Sequence, residues 1–402
     1  MTKTAEKVAV LGLGGGGSRV AALLASHLGA LADVAIADTD SHGIEELTGV
    51  STRILMGGDW TRHDGCGGDV SLGERAASAA VPELREFLAG GRLLIVIAGL
   101  GGGTGSGAAK VVAQLVRDAK LTAVLLVTMP FAFEGSWRRT EAEKSLTVLR
   151  GLADAIVVVP NDLLFTTLKA DTPAQDAFRI ADAVLAEGIA GLARLPVAEG
   201  LVTADFASVR ALLRHRQATC TIGVGQGTGE NRWQDAIRTF LEFPLIGGKD
   251  TLAQADGAVV TLVGGTDLRI GEMQMCLAAF EQYFRKNARL VVGAYTDRNM
   301  KGEVRLTGLV CRYHEDGAPP PPTTFAAHPG NLSALPVTQP AEPEAKRNAG
   351  PRKRRKDGQQ PELPFVTQTA GVFAGAQQTS IGGQNLDIPT FQRRGVILDV
   401  GD

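Results

Sequence analysis

Short apolar runs of strand length recur through the first half of the chain and alternate with helix-like stretches. The runs lie at residues 8–13, 34–37, 93–98, 124–128 and 155–159, with helical patterns at 18–28 and 107–119. Such alternation predicts βαβ units around a parallel sheet covered by helices on both faces. A longer helix is expected over 172–195, because Phe178, Ala181, Leu185, Ile189 and Leu192 fall close to one helical face. From 220 to 312 the pattern reads strand, helix, strand, helix, then two strands at 290–293 and 304–310 around a turn. That order suggests a second, smaller domain with a mixed α+β sheet. The expected fold class is therefore α/β, with a first domain at 1–171, a central helix at 172–195 and the smaller domain at 196–312.

After residue 312 the periodicity stops. Twelve of the 18 prolines follow residue 318, and a segment that buries little apolar surface cannot offset the entropy of ordering it. Residues 313–384 are expected to be a disordered linker. Within it, Arg352-Lys353-Arg354-Arg355-Lys356 reads as a solvated, self-repelling run or as a weak contact for nucleic acid or acidic lipid. Apolar character returns in the last segment, 385–402.

Composition narrows the function classes. The chain has 402 residues, with 41 Lys+Arg against 43 Asp+Glu and a formal charge of -2, so nothing draws it globally to nucleic acid or an anionic membrane. The longest apolar run, around 121–133, is broken by Thr128 and Pro130 and falls short of the roughly 18 residues a membrane span needs. The polar start, Met1 to Lys7, has no signal-peptide pattern, and a cytoplasmic protein is expected. Cys66, Cys220, Cys276 and Cys311 are scattered and the six histidines form no ligand cluster, so neither disulfides nor a protein-built metal site is expected. Glycine is the outlier, at 50 of 402 residues, well above the typical level of about 7%.

Much of the candidate chemistry lies in two glycine loops. The first, Gly12-Leu13-Gly14-Gly15-Gly16-Gly17-Ser18, follows a strand and opens a helix. Glycines allow close backbone approach to a phosphate, and the free N–H groups and positive end of a helix attract its charge. Gly12, Gly14 and Gly17 also match GxGxxG, with Asp38 closing the next strand, so a dinucleotide-binding oxidoreductase using NAD is one reading. The second loop, Gly99-Leu100-Gly101-Gly102-Gly103-Thr104-Gly105-Ser106-Gly107, has the same strand-to-helix setting. A dinucleotide fold needs one such loop, whereas a nucleoside triphosphate can use two converging helix N-termini. Neither loop has the Gly-Lys-Ser/Thr ending of a P-loop.

Gly101-Gly102-Gly103-Thr104-Gly105-Ser106-Gly107 matches the signature of the tubulin/FtsZ family. Pro130-Phe131-Ala132-Phe133-Glu134-Gly135 with Arg138, Pro160-Asn161-Asp162, Asp176-Ala177-Phe178, Gly200-Leu201 through Asp205-Phe206-Ala207, and Thr266-Asp267-Leu268-Arg269 follow in the family's order. The chain thus resembles that family over about residues 7–312. The resemblance implies GTP or GDP, with magnesium, on Gly14, Gly15, Gly16, Gly17 and Ser18 and on Gly101, Gly102, Gly103, Thr104 and Gly105. It also implies a third loop, Gly65, Cys66, Gly67 and Gly68, near the terminal phosphate, with Cys66 as a small packing residue.

Glu134 and Arg138 would reach ribose and phosphate, or form an exposed ion pair; Asn161 and Asp38 would join the site. Phe178 would lie against guanine, or in the core. Asp182 stands where the family has a base-contacting asparagine, and a carboxylate can accept from the N1–H and amino donors that adenine lacks. Ser18, Arg19 and Ala22 replace family asparagines, and so does Asp38; this implies either a lower nucleotide affinity or Arg19 taking over a phosphate contact.

Hydrolysis in the family is completed between subunits, by a loop corresponding here to Thr203-Ala204-Asp205-Phe206-Ala207-Ser208. Asp205 matches the first of two acidic residues, while its bare sequence reading is a helix N-cap. Ser208 stands at the second and cannot act as a carboxylate base. The resemblance therefore implies a slow GTPase that polymerises head to tail at the division site, in a mid-cell ring, or a hydrolysis-impaired scaffold of the same family. Ile388, Pro389, Phe391, Arg393 and Arg394 resemble the family's tail peptide, which docks on membrane-tethering division adaptors.

Overall fold

The computed structural model describes residues 7–50, 52–166, 168, 171–195, 200–214 and 218–313, together with 380–381 and 384–385. The chain divides into two units, Met1–Gln339 and Pro340–Asp402. In the second, Ser380–Ile381 pairs antiparallel with Gln384–Asn385. Nearly all of the expected linker, the Arg352–Lys356 run, and the expected docking residues Ile388, Pro389, Phe391, Arg393 and Arg394 lie outside the described residues.

The first unit is built on one ten-stranded sheet. Its strands are β1 (Lys7–Leu13), β2 (Ala32–Asp38), β3 (Thr52–Leu55), β4 (Gly91–Gly99), β5 (Ala123–Met129), β6 (Ala155–Pro160), β7 (Ala218–Thr228), β8 (Gly257–Gly264), β9 (Arg289–Thr296) and β10 (Glu303–Arg312). The order is β3-β2-β1-β4-β5-β6-β7-β10-β8-β9. All pairs from β3 to β7 are parallel, β10 runs antiparallel to β7 and β8, and β8 pairs parallel with β9.

Alternate residues of the central strands enter two separate cores. Val8, Val10, Leu93, Ile95 and Ile97 pack on one face with helices Gly14–Leu28 and Ala174–Ala193. Ala9, Leu11, Leu13, Leu94, Val96 and Ala98 pack on the other with helices Val70–Ala79, Val81–Ala89, Gly103–Asp118 and Ser136–Leu152. Burial on both faces is why these strands read as near-continuous apolar runs.

The mixed-sheet half departs from its expected order in one respect. The consecutive strands β9 and β10 are not neighbours; β10 lies between β7 and β8, and β9 pairs with β8 at the far edge. Three residue pairs, Ala155 with Ala218, Ile156 with Thr219 and Val157 with Cys220, join β6 to β7, so this half continues the parallel sheet.

Part of the glycine excess is explained by packing. A Cβ on Gly225 or Gly227 of β7 would fall 2.0 Å from the Ala236 carbonyl oxygen or 1.9 Å from that of Arg232, in the helix Arg232–Leu241. Arg232 is itself buried, with its guanidinium shared between Asp267 at 2.5 Å and Glu272 at 2.5 Å. This tie fixes the Thr266–Arg269 motif against that helix; Arg232 holds both carboxyls below their usual range.

Candidate functional site: a cleft between two helix N-termini

Strand order reverses between β1 and β4. The chain leaves β1 toward β2 on one side and leaves β4 toward β5 on the other, so the helices that follow lie on opposite faces. A crevice opens at such a switch point, beyond the carboxyl ends of the strands. Here it is a cleft of about 480 Å³.

Helix Gly14–Leu28 starts directly after β1, and helix Gly103–Asp118 starts four residues after β4. Their N-caps are Leu13 and Gly102; neither has a side-chain cap, and neither first turn carries an acidic residue. Other helices of the same chain are capped by aspartate: Asp40, Asp69 and Asp205 each accept from first-turn amides. The two bare ends meet closely, since a Cβ on Gly14 would lie 2.9 Å from the Gly105 nitrogen. Two positive helix ends side by side with uncapped N–H groups are unfavourable unless an anion lies between them.

The glycines of these turns fall into two groups. Gly17 and Gly105 are required by packing: added Cβ atoms would meet the carbonyl oxygens of Ile97 at 2.2 Å and Gly99 at 2.3 Å. Gly15, Gly16 and Gly102 are not, because the nearest atoms to an added Cβ are 4.0 Å, 3.9 Å and beyond 4 Å away. All three line the cleft. A side chain there would meet no protein atom closely and would occupy space open to a ligand.

Of the residues singled out from sequence, Gly14, Gly15, Gly16, Gly17, Asp38, Gly65, Gly67, Gly68, Gly102, Gly103, Thr104, Gly105, Glu134, Arg138, Asn161, Phe178 and Asp182 all line this cleft. Ser18 and Gly101 do not. Ser18 is buried beneath the first turn with its Oγ unpartnered, and Gly101 turns its N–H to Ser106 Oγ at 2.9 Å, in a left-handed conformation.

The side chains around the turns are tightly linked. Thr39 Oγ1 lies 2.6 Å from Thr104 Oγ1 and 3.3 Å from Cys66 Sγ, which joins the second and third loops. Burial pushes the Asp38 carboxyl above its usual value, against a hydrogen bond from the Thr39 N–H. Glu134 accepts from Arg138 at 2.5 Å and from the Phe131 N–H at 2.9 Å, so the ion pair exists and stands on the cleft wall. Phe178 meets Phe131 and Phe165 edge to face, with centroids 5.1 and 5.8 Å apart, and presents a flat apolar wall.

Arg19 departs from expectation. Its Nε donates to Asp182 Oδ2 at 3.1 Å, bridging the helices Gly14–Leu28 and Ala174–Ala193, rather than standing free for a phosphate. Sequence reasoning also passed over Asp40, Thr128 and Phe131, which line the cleft. Phe131 carried a signal, standing in the quoted Pro130–Gly135 motif.

Asp205 and Ser208 do not line the cleft of their own chain. Asp205 caps helix Phe206–Leu213, its carboxylate accepting from the amides of Ala207 and Ser208 at 3.1 Å each and from Ser208 Oγ at 2.8 Å. The Ser208 hydroxyl heads the interactions that hold the Asp205 carboxyl below its usual range. Arg289 donates to Ser208 Oγ at 3.3 Å.

Fold and cleft define a class: α/β proteins that receive a phosphorylated ligand on glycine turns at a switch point, without a P-loop lysine. Comparison with known proteins specifies it. Residues 7–169 match the model of the tubulin/FtsZ family GTPase domain, and 218–312 that of the FtsZ family C-terminal domain. Cell division protein FtsZ 2 of Rhizobium meliloti is 33% identical over 84% of this chain and 96% of its own length. Cell division protein FtsZ of Coxiella burnetii is 30% identical over 96% of each. An empty FtsZ dimer from M. jannaschii superposes with a TM-score of 0.71 at 29% identity, covering 79% of this chain and 96% of that one. The chain belongs to the tubulin/FtsZ family and carries its GTPase domain.

Proposed function

We propose that this chain binds GTP in the cleft at the β1/β4 switch point and polymerises head to tail in the cytoplasm, at the division site. The observation that carries the reading is the pair of uncapped helix N-termini, faced by glycines that packing does not require. The phosphates lie against the amides of residues 14–17 and 102–105, ribose near Glu134 and Arg138, and the base against Phe178. No group of three or more His, Cys, Asp or Glu suited to a metal ion occurs among the described residues. Magnesium would come with the phosphates and need at most one or two protein carboxylates. Asp38 and Asp40 line the cleft, pair with no arginine among the described residues and fit that need, and the ion would offset phosphate charge.

Asp205 lies outside its own chain's cleft, so its role in hydrolysis requires a neighbouring subunit, and a contact of that kind generates filaments when the rotation does not close. Turnover is slow, since Ser208 supplies no second carboxylate and Asp205 already accepts three hydrogen bonds. The same observation favours a second reading, a hydrolysis-impaired scaffold of this family. Among the described residues no helix is long and apolar enough to cross a membrane; attachment would run through adaptors held by residues 385–402.

Phosphate release and sedimentation with GTP and magnesium test both readings. GTP-dependent pelleting is expected, with Ser208→Asp raising turnover by on the order of 10²-fold. Unchanged turnover in Ser208→Asp would count against the missing carboxylate as the cause of slowness, and absence of pelleting in GTP would remove the filament reading.

A further inference from the structure

The first turn of helix Ser136–Leu152 touches two glycine loops at once. A Cβ added to Gly101 would meet the Arg138 carbonyl oxygen at 2.6 Å, so the second loop rests on the backbone of that turn. The third loop rests on a side chain. A Cβ added to Gly68 would meet Trp137 Cη2 at 2.7 Å and Cζ3 at 3.0 Å, the far edge of the indole. Trp137 itself does not line the cleft and is 56% exposed.

The loop that the indole covers turns donors toward the cleft. Gly65 donates its N–H to the Thr39 carbonyl at 3.2 Å, and Asp69 donates to that of Cys66 at 2.9 Å. Between them, the N–H groups of Cys66, Gly67 and Gly68 make no hydrogen bond among the described residues, and all three residues line the cleft. Successive free amides in a turn form a concavity for an anion. Cys66 is anchored by Thr39 and by packing, since a Cβ on Gly103 would meet its Cβ at 2.6 Å. Gly67 has nothing within 4 Å of an added Cβ, whereas Gly68 has the indole.

We infer that Trp137 braces the third loop for the terminal phosphate, holding the amides of residues 66–68 in place before the ligand arrives. The inference rests on the nucleotide reading above and deepens it. The base wall at Phe178 belongs to helix Ala174–Ala193, which packs on one face of the sheet with helix Gly14–Leu28. The third loop leads into helix Val70–Ala79 on the other face, where a Cβ on Gly73 would meet the Gly103 carbonyl oxygen at 2.2 Å. A phosphate chain that starts at the base and crosses the two helix ends therefore finishes at the third loop. A loop ordered only on binding subtracts its ordering cost from the affinity, and a braced loop does not. Trp137 is thus a positioning residue, acting through Gly68 on the one part of the ligand that reaches these amides.

The test is equilibrium binding of GTP and GDP, with magnesium, to the full-length protein and to Trp137→Ala and Trp137→Phe, at protein concentrations below those that pellet. Trp137→Ala should weaken GTP by about tenfold and leave GDP within about twofold of wild type. Trp137→Phe, which keeps an aromatic ring on that turn, should hold GTP to within about threefold of wild type. If Trp137→Ala weakened GTP and GDP alike, the residue would serve the fold of the cleft as a whole, and the inference would be overturned. Unchanged binding of both would overturn it too, while leaving the nucleotide reading intact. If wild type bound neither, that reading would fall first, and the brace with it.

Discussion

Replacing Asp205 by asparagine should lower GTP turnover by about 10²–10⁴-fold, the usual contribution of a positioned proton acceptor, while the fold persists. Asparagine is chosen because it caps helices as well as aspartate does. The Ala207 amide donates to one Asp205 oxygen and the Ser208 amide and hydroxyl to the other, so the single side-chain oxygen of asparagine keeps a cap for helix Phe206–Leu213 while one acceptor and the charge are lost. Steady-state phosphate release and thermal unfolding, run together, separate the two roles. Loss of turnover with an unchanged unfolding midpoint assigns the carboxylate to hydrolysis; full turnover in Asp205→Asn leaves it as a cap. Mixing adds the geometry. A chain with a disabled cleft but an intact Asp205 should restore hydrolysis to Asp205→Asn chains, because the missing carboxylate then arrives from a neighbour.

The second large effect contrasts two adjacent glycines. In Gly17→Ala the new methyl would meet the Ile97 carbonyl at 2.2 Å, and the backbone of β4 must shift. Destabilisation of about 1–3 kcal/mol or more is expected. In Gly16→Ala the methyl meets nothing nearer than 3.9 Å, and stability should hold or rise by about 0.5–1 kcal/mol from improved helix propensity. Affinity for GTP should nevertheless fall by roughly 10–150-fold in Gly16→Ala, as a close amide-to-phosphate contact is lost. Chemical denaturation and GTP titration of both variants check the pair. Tight GTP binding by a stable Gly16→Ala would mean that phosphate does not approach this turn.

Legibility in the sequence followed local pattern. The glycine turns were readable because each stands between a run buried on both faces and a helix, and the apolar runs at 8–13 and 93–98 became the adjacent strands β1 and β4. Strand β3 gave no signal: it is four residues long, lies at the sheet edge and buries only Ile54. Helix Ser136–Leu152 was similarly silent, with Ala142, Leu146 and Leu149 buried along a largely polar surface. The placement of β10 between β7 and β8 is a tertiary choice that a run of strands around a turn does not encode. The contact of Arg19 with Asp182 spans 163 positions, so each residue could be noticed singly but not as a partner of the other. The capping role of Asp205 was legible from its place before a helical run, whereas its threefold hydrogen bonding with Ala207 and Ser208 was not.

Hydrogen exchange with and without GTP and magnesium addresses the arrangement of the cleft most directly, because it reads the amides themselves. Backbone N–H groups at residues 14–17 and at 102–105 should gain protection together, over the same range of GTP concentration. Protection of only one turn, or of neither while GTP is demonstrably bound, would contradict a single triphosphate held between the two helix ends.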